Sequence, residues 1–126
     1  MRLALSCLAL LLLTATLATA QEASATAVVC KAIVNNNCEG AGTVFSTSVG
    51  KVYGFSQVVN APDRIVHVWF YKERELGRIA MNAPKAAAWK CFSNVTLARD
   101  MVGPWRLEAR DSHDRVLASF NFTVKL

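Results

Sequence analysis

One run of seven residues, Ile65-Val66-His67-Val68-Trp69-Phe70-Tyr71, constrains the fold more than any other stretch. It is β-branched and aromatic, apolar at odd and even positions alike, and it stops at the charged turn Lys72-Glu73-Arg74-Glu75. A strand with one wet face alternates apolar with polar residues. One that does not alternate is covered on both sides. The run reads as a central strand, Arg64 to Lys72, and the rest of the chain has to supply its cover.

The flanking sequence supplies more strands. Thr26 to Val34 reads as a first strand, with the Ala27, Val29, Lys31, Ile33 face outward. Asn35 to Gly42 is dense in Asn and Gly and reads as a loop. Val44 or Phe45 is expected to plug the core before a strand from Lys51 to Val59. Asn60-Ala61-Pro62-Asp63 is a turn. After the central strand, Glu73 to Gly77 turns the chain and Arg78 to Asn82 returns it. Ala83 to Ala88 is too short for a stable helix. Strands follow at Trp89 to Val95, Trp105 to Asp111 and Arg115 to Lys125. The last two alternate: Trp105, Leu107 and Ala109 inward, Arg106, Glu108 and Arg110 outward, then Val116, Ala118, Phe120, Phe122 and Val124 on one face. About seven short strands with turn signals between them predict an all-β, immunoglobulin-like antiparallel β-sandwich.

Not all of the 126 residues belong to that fold. Arg2 is a short positive region, Leu3 to Leu13 is an apolar run too short to span a bilayer, and Ala18-Thr19-Ala20 is a small-residue cleavage site. Residues 1–20 read as a signal peptide and 21–126 as one β-sandwich domain, exported to the periplasm or secreted. A retained anchor is the alternative; after cleavage no stable membrane span is expected. Losing Arg2 lowers the net charge from +5 to +4. The basic residues are scattered singly, which argues against nucleic acid as a partner.

Export leaves Cys30, Cys38 and Cys91 in an oxidising compartment, an odd count. Cys30–Cys38 is the preferred disulfide, because Asn35-Asn36-Asn37 between them is turn chemistry. Cys91 is the alternative partner. No His stands at ligand spacing from the pair, so no metal site and no cofactor are expected.

Lys51-Val52-Tyr53-Gly54-Phe55, His67-Val68-Trp69-Phe70-Tyr71, Trp89-Lys90-Cys91-Phe92-Ser93, Gly103-Pro104-Trp105-Arg106-Leu107, then Val116-Leu117 and Phe120, follow in an order that resembles the bacterial domain-of-unknown-function family 2914 (DUF2914) over roughly residues 28–124. The resemblance implies a small all-β domain of envelope or exported proteins, without an established activity and without catalytic residues to carry over. In members a charged residue often separates the His and Trp of the third strand, which implies His67 and Trp69 inward and Val68 outward. Members often carry a Cys near the position of Gly54. Its absence here leaves Cys38 or Cys91 to partner Cys30.

No cluster of residues forms a catalytic motif. His67 has Ile65, Trp69 and Tyr71 on its own face and reads as a core residue rather than a general base. His113, in Asp111-Ser112-His113-Asp114, reads as a solvated turn tip. Trp69, Trp89, Trp105 and Phe120 read as core with it. Arg106 and Arg110, together with Arg64 or Arg78, make a basic stripe unless Glu73, Glu75 and Glu108 cancel it. The expected function is a non-enzymatic envelope or periplasmic interaction module, touching an envelope protein or cell-wall polymer through Val68 and Phe70. A carbohydrate- or peptidoglycan-binding domain stacking sugar on Trp89 or Tyr71 is the alternative reading.

Overall fold

The structure, a computed structural model, describes residues 22–61 and 63–126. The expected signal peptide and Pro62 lie outside the described residues. Ten strands and one 3-10 turn follow in order: β1 (Ser24–Cys30), β2 (Ala32–Val34), β3 (Asn37–Glu39), β4 (Val44–Ser46), the turn Thr47–Val49, β5 (Lys51–Val59), β6 (Arg64–Tyr71), β7 (Arg74–Asn82), β8 (Trp89–Thr96), β9 (Gly103–Arg110) and β10 (Val116–Lys125). One sheet has the order β1-β5-β8, the other β4-β10-β9-β6-β7, and β2-β3 is a separate hairpin. The pairings are antiparallel except that of β4 with β10, which is parallel. The seven long strands match the sandwich expected from sequence, and β6 has neighbours on both sides as its composition demands.

The core lies between the two sheets. Trp69 of β6, Trp105 and Leu107 of β9, Phe122 and Val124 of β10, Val29 of β1, Val52 of β5 and Phe45 of β4 form one buried cluster. The Phe122 ring meets Trp69 edge-on at 6.2 Å and stacks on Trp105 at 5.8 Å, while Phe120 packs against the cluster from a partly buried position. Phe45 is the plug and Val44 is exposed.

Three details depart from the alternation read off the sequence. The first strand ends at Cys30 and the chain bends at Lys31, so Ala27 and Val29 pack inward and Val34 stands in solvent. The turn after β6 is tighter than expected: Lys72 and Glu73 alone connect β6 to β7, both with positive φ. Neither has the permissiveness of glycine, but Lys72 donates its N–H to Pro104 O at 2.9 Å and Glu73 is paired with Arg106. In β10 a register shift between Val116 and Ala118 breaks the alternation and leaves Val116 exposed.

Cys30 and Cys38 form a disulfide, eight residues apart. Asn35 and Asn36 make the two-residue turn of the β2–β3 hairpin, both with positive φ, a conformation Asn tolerates well. The alternative partner, Cys91, is free and buried on the inward face of β8. Burial pushes its thiol pKa up, so it is a packing group and not a reactive one. Replacing Cys30 and Cys38 together by serine is expected to lower stability by about 2–3 kcal/mol, the loop-closure entropy of so short a loop. Urea unfolding of the double variant beside the parent checks this.

Candidate functional site

Two faces were candidates for contact with a ligand or partner, and the structure treats them differently. The outer face of the five-stranded sheet carries Val68 and Phe70. Val68 is opposite Glu108 on β9 and Arg78 on β7; Phe70 is opposite Arg106 and Glu75. Charged residues of both neighbours therefore flank the apolar middle strand. The Arg106 guanidinium sits 4.2 Å from the centre of the Phe70 ring and that of Arg110 sits 5.8 Å from it. Val68 is 0% exposed and Phe70 9%. This corrects the expectation that the two form an open contact surface: their direction is outward, but both are buried, and Arg106 and Arg110 lie over Phe70.

The covering charges neutralise one another. Arg106 pairs with Glu73 and Glu108, Arg110 with Glu108 and Asp114, and Arg78 with Asp114 and Glu75. The hydrogen bond from Arg78 lowers the Glu75 pKa, and those from Arg110 and Arg78 lower that of Asp114. Arg78, Arg106 and Arg110 are thus consumed in a ladder of alternating sign rather than a basic stripe.

His67 is fully buried on the inward face of β6. Its Nε2 lies 2.7 Å from Ser56 Oγ and its Nδ1 2.7 Å from Ser93 Oγ. Trp69 Nε1 donates to the same Ser93 Oγ at 3.0 Å. Each ring nitrogen is thus partnered by a serine hydroxyl. Burial lowers the His67 pKa to about 4. A serine flanking each ring nitrogen has the look of a hydrolase dyad, yet no surface of this imidazole meets solvent. Tyr71 is committed as well: its hydroxyl donates to Val102 O at 2.7 Å and its ring packs on Trp105 at 5.0 Å. His113 is exposed, with its backbone N–H donated to Asp111 Oδ1 at 2.9 Å.

Trp89 is the second correction. Its parity matches that of Cys91 and Ser93, which face inward, but it is the first residue of β8 and the indole is 40% exposed rather than in the core. It borders a groove of about 460 Å³ lined by Asn36, Gln57, Ala88, Trp89, Lys90 and Phe92. The β5–β8 register builds this groove by setting Gln57 opposite Lys90 and Phe55 opposite Phe92. The rings of Phe55 and Phe92 stack at 6.1 Å. The disulfide-tethered hairpin forms the other wall, and Lys90 Nζ donates to Asn37 Oδ1 at 2.9 Å. An aromatic floor with a few polar groups around it is the usual make-up of a small-ligand site, and the volume falls in the usual range. Sequence alternation gave no warning of the groove, because one wall comes from a hairpin docked through Cys30.

A family described as "Protein of unknown function (DUF2914)" matches residues 62–124, half of the chain. The chain belongs to that family. The DUF2914 match covers β6 to β10, including Trp89, Lys90 and Phe92, while Asn36, Gln57 and the disulfide hairpin lie before it. No curated protein matches the chain.

Proposed function

We propose that this protein is a non-enzymatic, exported binding module of the cell envelope, and that its ligand is a saccharide of the cell wall held in the Trp89 groove. The exposed indole beside two side-chain amides carries the reading. A flat aromatic face packs against the C–H face of a pyranose ring, and Asn36 and Gln57 hydrogen-bond hydroxyls around it. The cover over Val68 and Phe70 takes away the other contact surface.

The enclosure of His67 supports a binding role over a catalytic one, since a general base must reach the proton it removes. The Cys30–Cys38 disulfide is compatible with export, and among the described residues no helix is long and apolar enough to cross a membrane.

Titration of the purified protein with muramidase-solubilised peptidoglycan fragments tests the reading. Trp69 and Trp105 are buried, so a fluorescence change on binding reports on Trp89. Trp89→Ala is expected to weaken binding tenfold or more, the loss of about 1.4 kcal/mol or above, and to leave the melting temperature nearly unchanged. Saturable binding that Trp89→Ala leaves intact, or no binding at all, would sink the assignment.

A further inference from the structure

The groove holds a cation that no carboxylate among the described residues neutralises. Lys90 lines it, and its ammonium is bonded to the neutral amide of Asn37 at 2.9 Å. On the opposite sheet Arg78, Arg106 and Arg110 each have a carboxylate within 3.1 Å, as has Arg115 just before β10. Among the described residues no carboxylate stands within ion-pair distance of Lys90, and no acidic residue lines the groove. Lys85 adds a second cation, exposed on the connection that leads through Ala88 into the groove wall, again without an ion-pair partner among the described residues.

Lys90 is exposed, so it attracts an anion as a surface charge does, and salt screens that attraction. The Asn37 amide fixes the direction of Lys90 without cancelling its charge. The lysine shares the lining with Trp89, so one sugar ring can stack on the indole while a group on that ring or the next meets the ammonium. We infer that the groove selects a saccharide bearing a carboxylate on the ring, a hexuronate, over its neutral counterpart. Lys90 takes the carboxylate, Trp89 the ring face, and Gln57 and Asn36 the hydroxyls. The inference rests on the saccharide reading and narrows it to one ligand chemistry.

A matched pair of probes isolates the carboxylate: β-1,4-linked tetraglucuronate and cellotetraose, which differ at C6 of each ring. Isothermal titration of the purified protein is expected to show tetraglucuronate binding about tenfold more tightly at low salt. Screening should shrink the difference to under threefold in 0.3 M sodium chloride. Lys90→Gln, which keeps a hydrogen-bond donor, is expected to abolish the preference by weakening tetraglucuronate binding about tenfold more than cellotetraose binding. Trp89→Ala is expected to weaken both. Equal affinity for the two probes, or a preference that survives Lys90→Gln, overturns the inference while the saccharide reading stands. Refusal of both probes overturns the inference too; peptidoglycan fragments that still bind through Trp89 would then keep the broader reading separate from it.

Discussion

Gly54→Ala is expected to destabilise the protein by about 2 kcal/mol, through a single added methyl group. A Cβ at position 54 would lie 2.7 Å from Leu107 Cδ2, 2.7 Å from Trp69 Cζ2 and 3.0 Å from Trp69 Cη2. Both neighbours are fully enclosed, and the Trp69 indole is fixed further by its bond to Ser93 Oγ. Neither is a flexible tip that can swing aside. Overpacking of this kind costs about 1–3 kcal/mol. Reduced freedom of the unfolded chain returns about 0.4–1 kcal/mol of that at most. In immunoglobulin-type sandwiches the tryptophan of the central strand packs on a disulfide between the sheets. Here Trp69 packs on bare Gly54 and on Leu107, so the space is filled without sulfur. Gly77→Ala is the control. A Cβ there meets nothing within 4 Å, so that variant should stay within about 0.5 kcal/mol of the parent. For a domain of this size the difference amounts to roughly 10 °C in melting temperature. Equal melting of the two variants would remove Gly54 from its place in the core.

Much of this core was legible in the chain. The unbroken apolar run 65–71 required cover on both faces, and the alternation of Trp105, Leu107 and Ala109 fixed which side of β9 is buried. The Asn-rich stretch between Cys30 and Cys38 predicted a turn and the disulfide across it, but not that Asn37–Glu39 would pair with Ala32–Val34 as a hairpin. What the chain did not disclose is what happens outside a single strand. Parity says which way Val68 points, but not that Arg106 and Arg110 fold back over its neighbour Phe70. Parity also sends Trp89 inward. It carries no information about where the covering sheet ends, and at the first residue of β8 that decides the matter. The groove needs three separate pieces: the start of β8, Gln57 on β5 and the hairpin tip at Asn36. Only the tertiary fold and the disulfide bring these together, so no local pattern marks it. The Ser56–His67–Ser93 network was hidden for the same reason, since its members lie 11 and 26 residues apart.

That network makes stability depend on pH in a window where few other groups titrate. The His67 pKa is about 4 in the folded protein, against an ordinary value of 6.5. Between those values the unfolded chain binds a proton that the folded one refuses. Stability therefore rises with pH across this window. The contribution is complete above pH 6.5 and is lost as pH falls toward 4, by about 3 kcal/mol in all. Glu75 and Asp114, whose pKa values are lowered by their arginine partners, act in the same direction. Their share falls away only below the ordinary values of 4.5 and 3.8, so most of the loss between pH 7 and pH 5 belongs to the histidine. Urea unfolding at half-unit steps from pH 7.5 to 4.5 should show the slope. His67→Leu should reduce stability at pH 7 by about 1–3 kcal/mol, because the Ser56 hydroxyl loses its partner inside the core while Ser93 keeps only its bond from Trp69. It should also flatten the profile between pH 7 and pH 5. The slope separates the two effects: a histidine that merely fills space would give the first and not the second. A His67→Leu variant that keeps the parent's slope would show that the titrating group lies elsewhere.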